Sequence, residues 1–265
     1  MSLTEDYIRS CRGIIESVSA QEKQIQEIAE RFANSILKGR VVHLFGSGHS
    51  RIMVEEMWPR YGSFPGFNPI VELSLTFHNQ VSGTNGQRQA MYLENVSGFA
   101  SRILRNFDIS SEDSALVVSS GGCNIVPVEI AEEFQRSGVW VAGIVSLKHC
   151  EGSKSKREDG KKLTDFSDAV LDTGAPLGDS MVRVEGLETP VSPGSTVGGC
   201  IIINALKAEI ARLLTEAGKA PKVLTSGAIV GEEKATQLFE AAYDEHSRRI
   251  ATLYSGLGLT DQSEN

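Results

Sequence analysis

The stretch Val41-Val42-His43-Leu44-Phe45-Gly46-Ser47-Gly48-His49-Ser50-Arg51 decides the fold class. Its first half is an apolar run with little polar alternation, the texture of a parallel strand buried on both faces. Its second half turns through Gly-Ser-Gly into a helical pattern over residues 51–58. A strand that ends in a glycine- and hydroxyl-rich turn and enters a helix is how α/β proteins hold an anion. Gly46, Ser47, Gly48 and Ser50 are the candidate contacts, with Ser50 suited to cap the helix that begins at Arg51.

Working outward, further strand-like runs fall at 70–73, 115–118, 139–145 and 169–172, with helical patterns at 90–105 and 125–137 between them. This alternation predicts a three-layer αβα sandwich around a five-stranded, mostly parallel, doubly wound sheet of flavodoxin type. Upstream, Tyr7, Ile8, Cys11, Ile14, Ile15 and Val18, then Ile25, Ile28, Ala29, Phe32 and Ile36, recur at helical spacing. Downstream, the Gly- and Pro-containing residues 173–194 read as a long loop. A very apolar helix at 196–214 and an amphipathic one at 232–254 follow. The expected organisation is N-terminal helices packed on the core at 1–39, a binding domain at 40–218, and a C-terminal loop, helix and tail at 219–265.

Bulk properties narrow the function classes. The chain has 265 residues, 40% hydrophobic and 23% charged, enough to bury a sizeable core. A net charge of −8 argues against a nucleic-acid surface, which needs clustered Lys and Arg. The basic residues Lys154, Lys156, Arg157, Lys161 and Lys162 are interrupted by Glu158 and Asp159, as in a solvated loop. No apolar run approaches the length of a membrane-spanning helix, and no signal segment is visible, so a cytoplasmic protein with no membrane partner is expected. Cys11, Cys123, Cys150 and Cys200 lack metal spacing and read as reduced thiols.

Three readings compete for the first loop. A dinucleotide loop requires a third glycine where this chain has Arg51, although Glu72 stands about where a ribose-binding acid belongs. A Walker A loop is excluded because no Gly-Lys-Ser/Thr follows. The third reading is a phosphate monoester gripped by hydroxyls and backbone amides. It gains from two further turns of the same kind: Ser119-Ser120-Gly121-Gly122-Cys123-Asn124 and Ser192-Pro193-Gly194-Ser195-Thr196, each entering a helix. Candidate phosphate contacts there are Ser119, Ser120, Gly122 and Asn124, and Ser192, Ser195 and Thr196. Helix N-termini converging on one crevice can bind an anion without lysine, each contributing roughly 0.3–1 kcal/mol.

On these turns, together with Val54-Glu55-Glu56-Met57 and the stretch 172–179, the chain resembles the sugar isomerase (SIS) domain family. The resemblance is to the phosphoheptose-isomerase-like branch, including an uncharacterised group within it, over roughly residues 25–215. It implies a five-stranded parallel sandwich, Ser/Thr loops around a sugar phosphate, and a homodimer or homotetramer in which a partner residue often completes the site. The near-continuous apolar run from Cys200 to Leu206 also suits self-association. One departure is Gly121, where the family usually carries the second serine of Ser-x-Ser-Gly. The zinc-using members have a His where this chain has Ile52, and Gln and His on the helix after the fifth strand, where 196–214 has neither. No metal and no cofactor is therefore expected.

Aldose–ketose isomerisation needs a base that moves a proton between adjacent carbons. At 100° per residue Glu56 falls between Ile52 and Met53 and close to Met57, an apolar setting expected to raise its pKa. Glu55 falls beside Arg51, and the resemblance also implies a base in the second position of this Glu-Glu pair. A solvent-exposed acidic pair beside Arg51 and Arg60 is the bland alternative. His49 in the loop and His78 in the stretch after it are candidates for ring opening or proton relay. His43 reads as a core histidine, His149 follows the fourth strand, and His246 on the last helix could reach a neighbouring subunit. Two functions stay open: a phosphosugar isomerase and a non-catalytic phosphosugar-binding module.

Overall fold

Ser2 accepts a hydrogen bond from the Glu5 amide while the Glu5 carboxylate accepts from the Ser2 amide, a reciprocal cap that starts α1 (Leu3–Ser19). The structure, a computed structural model, describes residues 2–76 and 81–257. After α2 (Glu22–Leu37) the chain runs through β1 (Val42–Gly46), a 3-10 turn (Gly48–Ser50), α3 (Arg51–Met57) and β2 (Phe67–Ile70). Three short helices follow, α4 (Leu73–Thr76), α5 (Gln87–Leu93) and α6 (Phe99–Leu104), then β3 (Ser114–Val118) and α7 (Ile125–Arg136). Next come β4 (Trp140–Val145), α8 (Leu147–Gly152) and β5 (Ala169–Asp172). The strands β6 (Ser180–Val182) and β7 (Val191–Pro193) precede α9 (Ser195–Glu216), α10 (Gly227–Val230) and α11 (Glu232–Ser255).

The main sheet is five-stranded and wholly parallel, in the order β2-β1-β3-β4-β5. Its strands are buried on both faces. Val42, Leu44, Leu116, Val118, Ala142 and Ile144 face one layer with Phe32, Met57, Ile202 and Leu206. Phe45, Ala115, Val117, Val141 and Val145 face the other with Val126, Ile130 and Phe134. The period-2 split of one apolar strand between two cores is why polar alternation was missing from the sequence. Leu224 and Ala242, from beyond α9, join the same layer as α2 and α9.

Several details differ from the sequence reading. The second strand ends at Ile70, where one was expected to begin, and includes Pro69. Proline is tolerated because β2 is an edge strand that pairs with β1 alone. The helix expected over 90–105 is two, broken at Gly98, whose φ of 78° is left-handed. The long loop at 173–194 contains the antiparallel β6–β7 pair. In the apolar helix, Ile202, Ile203 and Leu206 are consumed by the chain's own core, while Cys200 and Ile201 are half-buried. No helix among the described residues is long and apolar enough to cross a membrane.

Candidate functional site

Following β1 the chain moves to one side for β2 and returns to the other side for β3. The carboxyl ends of β1 and β3 therefore flank the switch point, where crevices of open α/β sheets form. The loop after β1 is tightly turned. A Cβ on Gly46 would stand 2.6 Å from the Ser50 carbonyl oxygen, so only glycine fits. Gly48 has a φ of 58°, and the helical turn starts there, with Ser47 extended before it (φ −93°, ψ 160°). Ser50 is already helical and makes no side-chain cap, which corrects the expectation that it caps α3. A residue one turn into the spiral cannot reach forward to the next free amides.

Ser47 is buried, and its hydroxyl donates to Oε2 of Glu94 at 2.9 Å. Glu94 follows α5, and its carbonyl accepts from the Val126 amide in the first turn of α7 at 2.9 Å. One residue thus touches the first loop through its side chain and the helix behind the second loop through its backbone. Sequence reading missed Glu94, because neither contact leaves a local signature. The second loop follows β3: Ser119 is buried, Gly122 is left-handed (φ 58°), and Asn124 stands at the N-cap of α7 without a side-chain cap. The Ser120 hydroxyl oxygen is buried with no hydrogen-bond partner among the described residues, and so is Oδ1 of Asn95, next to Glu94. Buried polar atoms without partners are rare in native proteins and mark places where water or a ligand completes the bonding.

The third turn differs. The Asp179 carboxylate accepts from the amides of Gly194 and Ser195 (3.0 and 2.7 Å) and from the Ser195 hydroxyl (2.8 Å). The N-terminus of α9 already holds an anion supplied by its own chain, so Ser195 is not an available phosphate donor. Ser192, left-handed at φ 65° on β7, and Thr196 flank this capped end.

The carboxylates of α3 also depart from expectation. Glu55 pairs with Arg51 at 2.8 Å on the surface. Glu56 accepts from Arg60 at 2.5 Å and from Asn204 of α9 at 2.8 Å. Burial acts to raise its pKa, but the hydrogen bonds from Asn204 and Arg60, with the charges of Arg60 and Lys207, outweigh it and hold the carboxyl below its ordinary value. The expected rise is thus overturned by Asn204 and Lys207 of α9 together with Arg60, the neighbour that the alternative reading of the pair names. The partners of the Glu56 carboxylate come from α9 (Asn204) and from the residues just after α3 (Arg60). Lys207, also buried, donates to the Glu56 carbonyl at 2.8 Å. Glu72, the ribose acid of the dinucleotide reading, turns to the amide and hydroxyl of Ser74.

His49 is exposed on the 3-10 turn, and His78 lies outside the described residues. His43 is wholly buried between Asp113 and Asn68, as a core histidine. His246 packs within its own chain, its ring centroid 5.3 Å from that of Trp58. His149, on α8, accepts from the Gly178 amide at Nδ1 (2.8 Å) and lies against Gly121 of the second loop. Among the described residues no group of three His, Cys, Asp or Glu could hold a metal ion.

Residues 6–146 match the family described as the SIS domain. A UPF0309 protein of Listeria innocua is 31% identical over 252 residues, 95% of this chain and 98% of that protein. A UPF0309 protein of Thermoanaerobacter pseudethanolicus is 34% identical over 234 residues, 86% and 92% of the respective chains. Among solved structures, a phosphoheptose isomerase from Francisella tularensis shares the fold, with a TM-score of 0.51 at 15% identity, covering 79% of this chain and 96% of that one.

Proposed function

The chain belongs to the SIS domain family, and from that premise we propose that it binds a sugar phosphate in the crevice between β1 and β3 and isomerises it between aldose and ketose forms. The observation that carries this reading is Glu94, with its carboxylate on Ser47 and its carbonyl on Val126 between two hydroxyl-rich loops. A phosphate dianion beside the Glu94 carboxylate would be repelled, so the phosphate belongs to the second loop. There Ser119, Ser120, Asn124 and the first amides of α7 face it, and the 12-residue helix adds its dipole. The sugar then extends toward Ser47 and Glu94, with Gly46, Gly48, His49 and Ser50 lining the far side.

In this arrangement Glu94 takes the proton from C2 of the open-chain aldose. The C2–H electrons form the C1–C2 double bond, and the C1 carbonyl oxygen takes a proton from solvent, giving an enediol. Glu94 then returns its proton to C1 as the C2 hydroxyl gives its own back to solvent and becomes the ketone. Ser47, donating to one carboxylate oxygen, fixes the base in place and leaves the other oxygen for the carbon acid. Glu56, held ionised by Arg60 and Asn204, is the weaker candidate. Assembly as a homodimer or homotetramer is part of the proposal; it is supported by the half-buried Cys200 and Ile201 on α9.

The test is a thermal-shift panel of phosphosugars against their unphosphorylated counterparts, followed by exchange in deuterated water. A ligand at 100 times its Kd raises stability by about 2.7 kcal/mol. Equal shifts for both members of every pair would overturn phosphosugar binding. Binding without C2 exchange for any ligand would replace the isomerase with a non-catalytic binding module.

A further inference from the structure

The second loop has no side chain at its third position, Gly121, and what stands over that position is an imidazole. A Cβ built on Gly121 would lie 3.0 Å from Cδ2 and 3.2 Å from Nε2 of His149, and 3.3 Å from Sγ of Cys123. A contact that tight is met by few real side chains, so glycine here admits the ring edge to the loop. His149 is held there by more than packing. Its Nδ1 accepts from the Gly178 amide at 2.8 Å, and its own amide donates to the Ser146 hydroxyl at 3.3 Å. Ser146 is fully buried and donates onward to the Ala175 carbonyl at 2.7 Å.

These bonds fix a proton. An amide N–H can only donate, so Nδ1 carries a lone pair, the ring is neutral, and its hydrogen sits on Nε2. Nε2 has no hydrogen-bond partner among the described residues, and it is the atom on the edge facing Gly121. In the same loop, one residue before Gly121, the Ser120 hydroxyl is buried and has no partner among the described residues. A neutral imidazole that turns an N–H donor onto the loop carrying Ser120 and leading into α7 presents that loop's ligand with a donor for an anion's oxygens.

We propose that His149 is a phosphate-binding residue of this site, its Nε2–H supplying the donor that a side chain at position 121 would otherwise contribute, with Gly121 kept small to admit it. The proposal rests on the phosphosugar reading above and adds a residue to it. It also assigns Gly178 a task, since its amide selects the tautomer that can donate.

The test uses the full-length protein with inorganic phosphate, and then with whichever phosphosugar gives the largest thermal shift. His149→Phe, which fills the space without a donor, is expected to weaken phosphate binding by about 10- to 100-fold, the range for a lost hydrogen bond to a charged group. His149→Gln, which can present an N–H near the same point, should recover most of that loss. In the wild type, nitrogen-15 spectra should show the Nε2–H form of His149, with its Nε2 resonance moving on phosphate addition. Wild-type affinity in a folded His149→Phe, or a resonance indifferent to bound phosphate, overturns the role of His149 while leaving the phosphosugar reading intact. A wild type that binds neither phosphate nor any phosphosugar overturns that reading, and this proposal falls with it.

Discussion

His43 and Ser47 lie four residues apart on and just after one strand, both buried, and they meet opposite treatment at the two ends of the sheet. At the amino end every partner is present. Asp113 accepts two bonds from Arg40 (2.9 and 2.8 Å), one from the Ser110 amide (2.9 Å) and one from His43, whose other nitrogen accepts from Asn68. At the carboxyl end Ser47 leans on Glu94, while Ser120 and Asn95 each leave a buried oxygen without a partner among the described residues. A saturated network stabilises a fold; an unsaturated one costs stability unless something from outside completes it. On the proposed function, the contrast separates the end that holds the sheet together from the end that would meet a ligand.

The sharpest way to break this comparison is at Glu94. Glu94→Gln keeps the side chain's volume, so ligand-induced stabilisation should persist while C2 proton exchange falls by roughly 10²- to 10⁴-fold, the worth of a positioned general base. Glu56→Gln, by contrast, should leave exchange within about threefold. If the two variants exchange these outcomes, the base sits on α3 and the crevice described here is the wrong one.

Asp113→Asn attacks the opposite end. It leaves Arg40 without its carboxylate partner, and loss of one member of a buried pair costs about 3–5 kcal/mol. Denaturant unfolding should register that loss, with phosphosugar affinity in the folded fraction unchanged. A drop in affinity comparable to the loss of stability would mean that the two ends are not separable.

Acid titration probes the same carboxylate more gently. Burial opposes its charge, yet the bonds from His43 and Arg40 hold Asp113 at about 2, against an ordinary 3.8. The folded pKa is depressed, so between 3.8 and about 2 the unfolded chain binds more protons than the folded one. The resulting stability, about 2 kcal/mol, is present above 3.8 and is lost as pH falls toward 2. Unfolding free energies measured across this range should slope accordingly, and Asp113→Asn should flatten the slope. An unchanged slope in the variant would assign the acid sensitivity to other carboxylates.

The smallest effect is expected at Ser120. Its hydroxyl has no partner to lose, so Ser120→Ala should be neutral or stabilising by up to about 1 kcal/mol. Phosphate binding should nevertheless weaken by about tenfold. A loss of stability of 2 kcal/mol or more would show that the hydroxyl is satisfied, and the two ends of the sheet would then be alike.

The N-terminus of α9 shows why composition alone misleads. Ser195 sits in a turn as rich in hydroxyl and glycine as the one before α7, yet its donors go to Asp179, sixteen residues earlier. The helical wheel of α3 put Glu56 beside Ile52, Met53 and Met57, but a wheel holds only its own helix. Asn204 and Lys207 arrive from α9, and with Arg60 they reverse the direction of its pKa.

The sequence by itself determined the elements that short-range physics controls. Apolar runs without alternation announced strands buried on both faces, and helical spacing announced α1, α2, α9 and α11. Gly46 and Gly48 marked a turn that other residues could not make. Tertiary structure alone decided which polar groups meet. Ser47 and Glu94 are forty-seven residues apart, and His149 reaches Gly121 across a whole strand–helix unit. Such pairings depend on strand order, which carries no periodicity along the chain, and a hydrogen bond forms only between atoms brought within about 3 Å in the right direction.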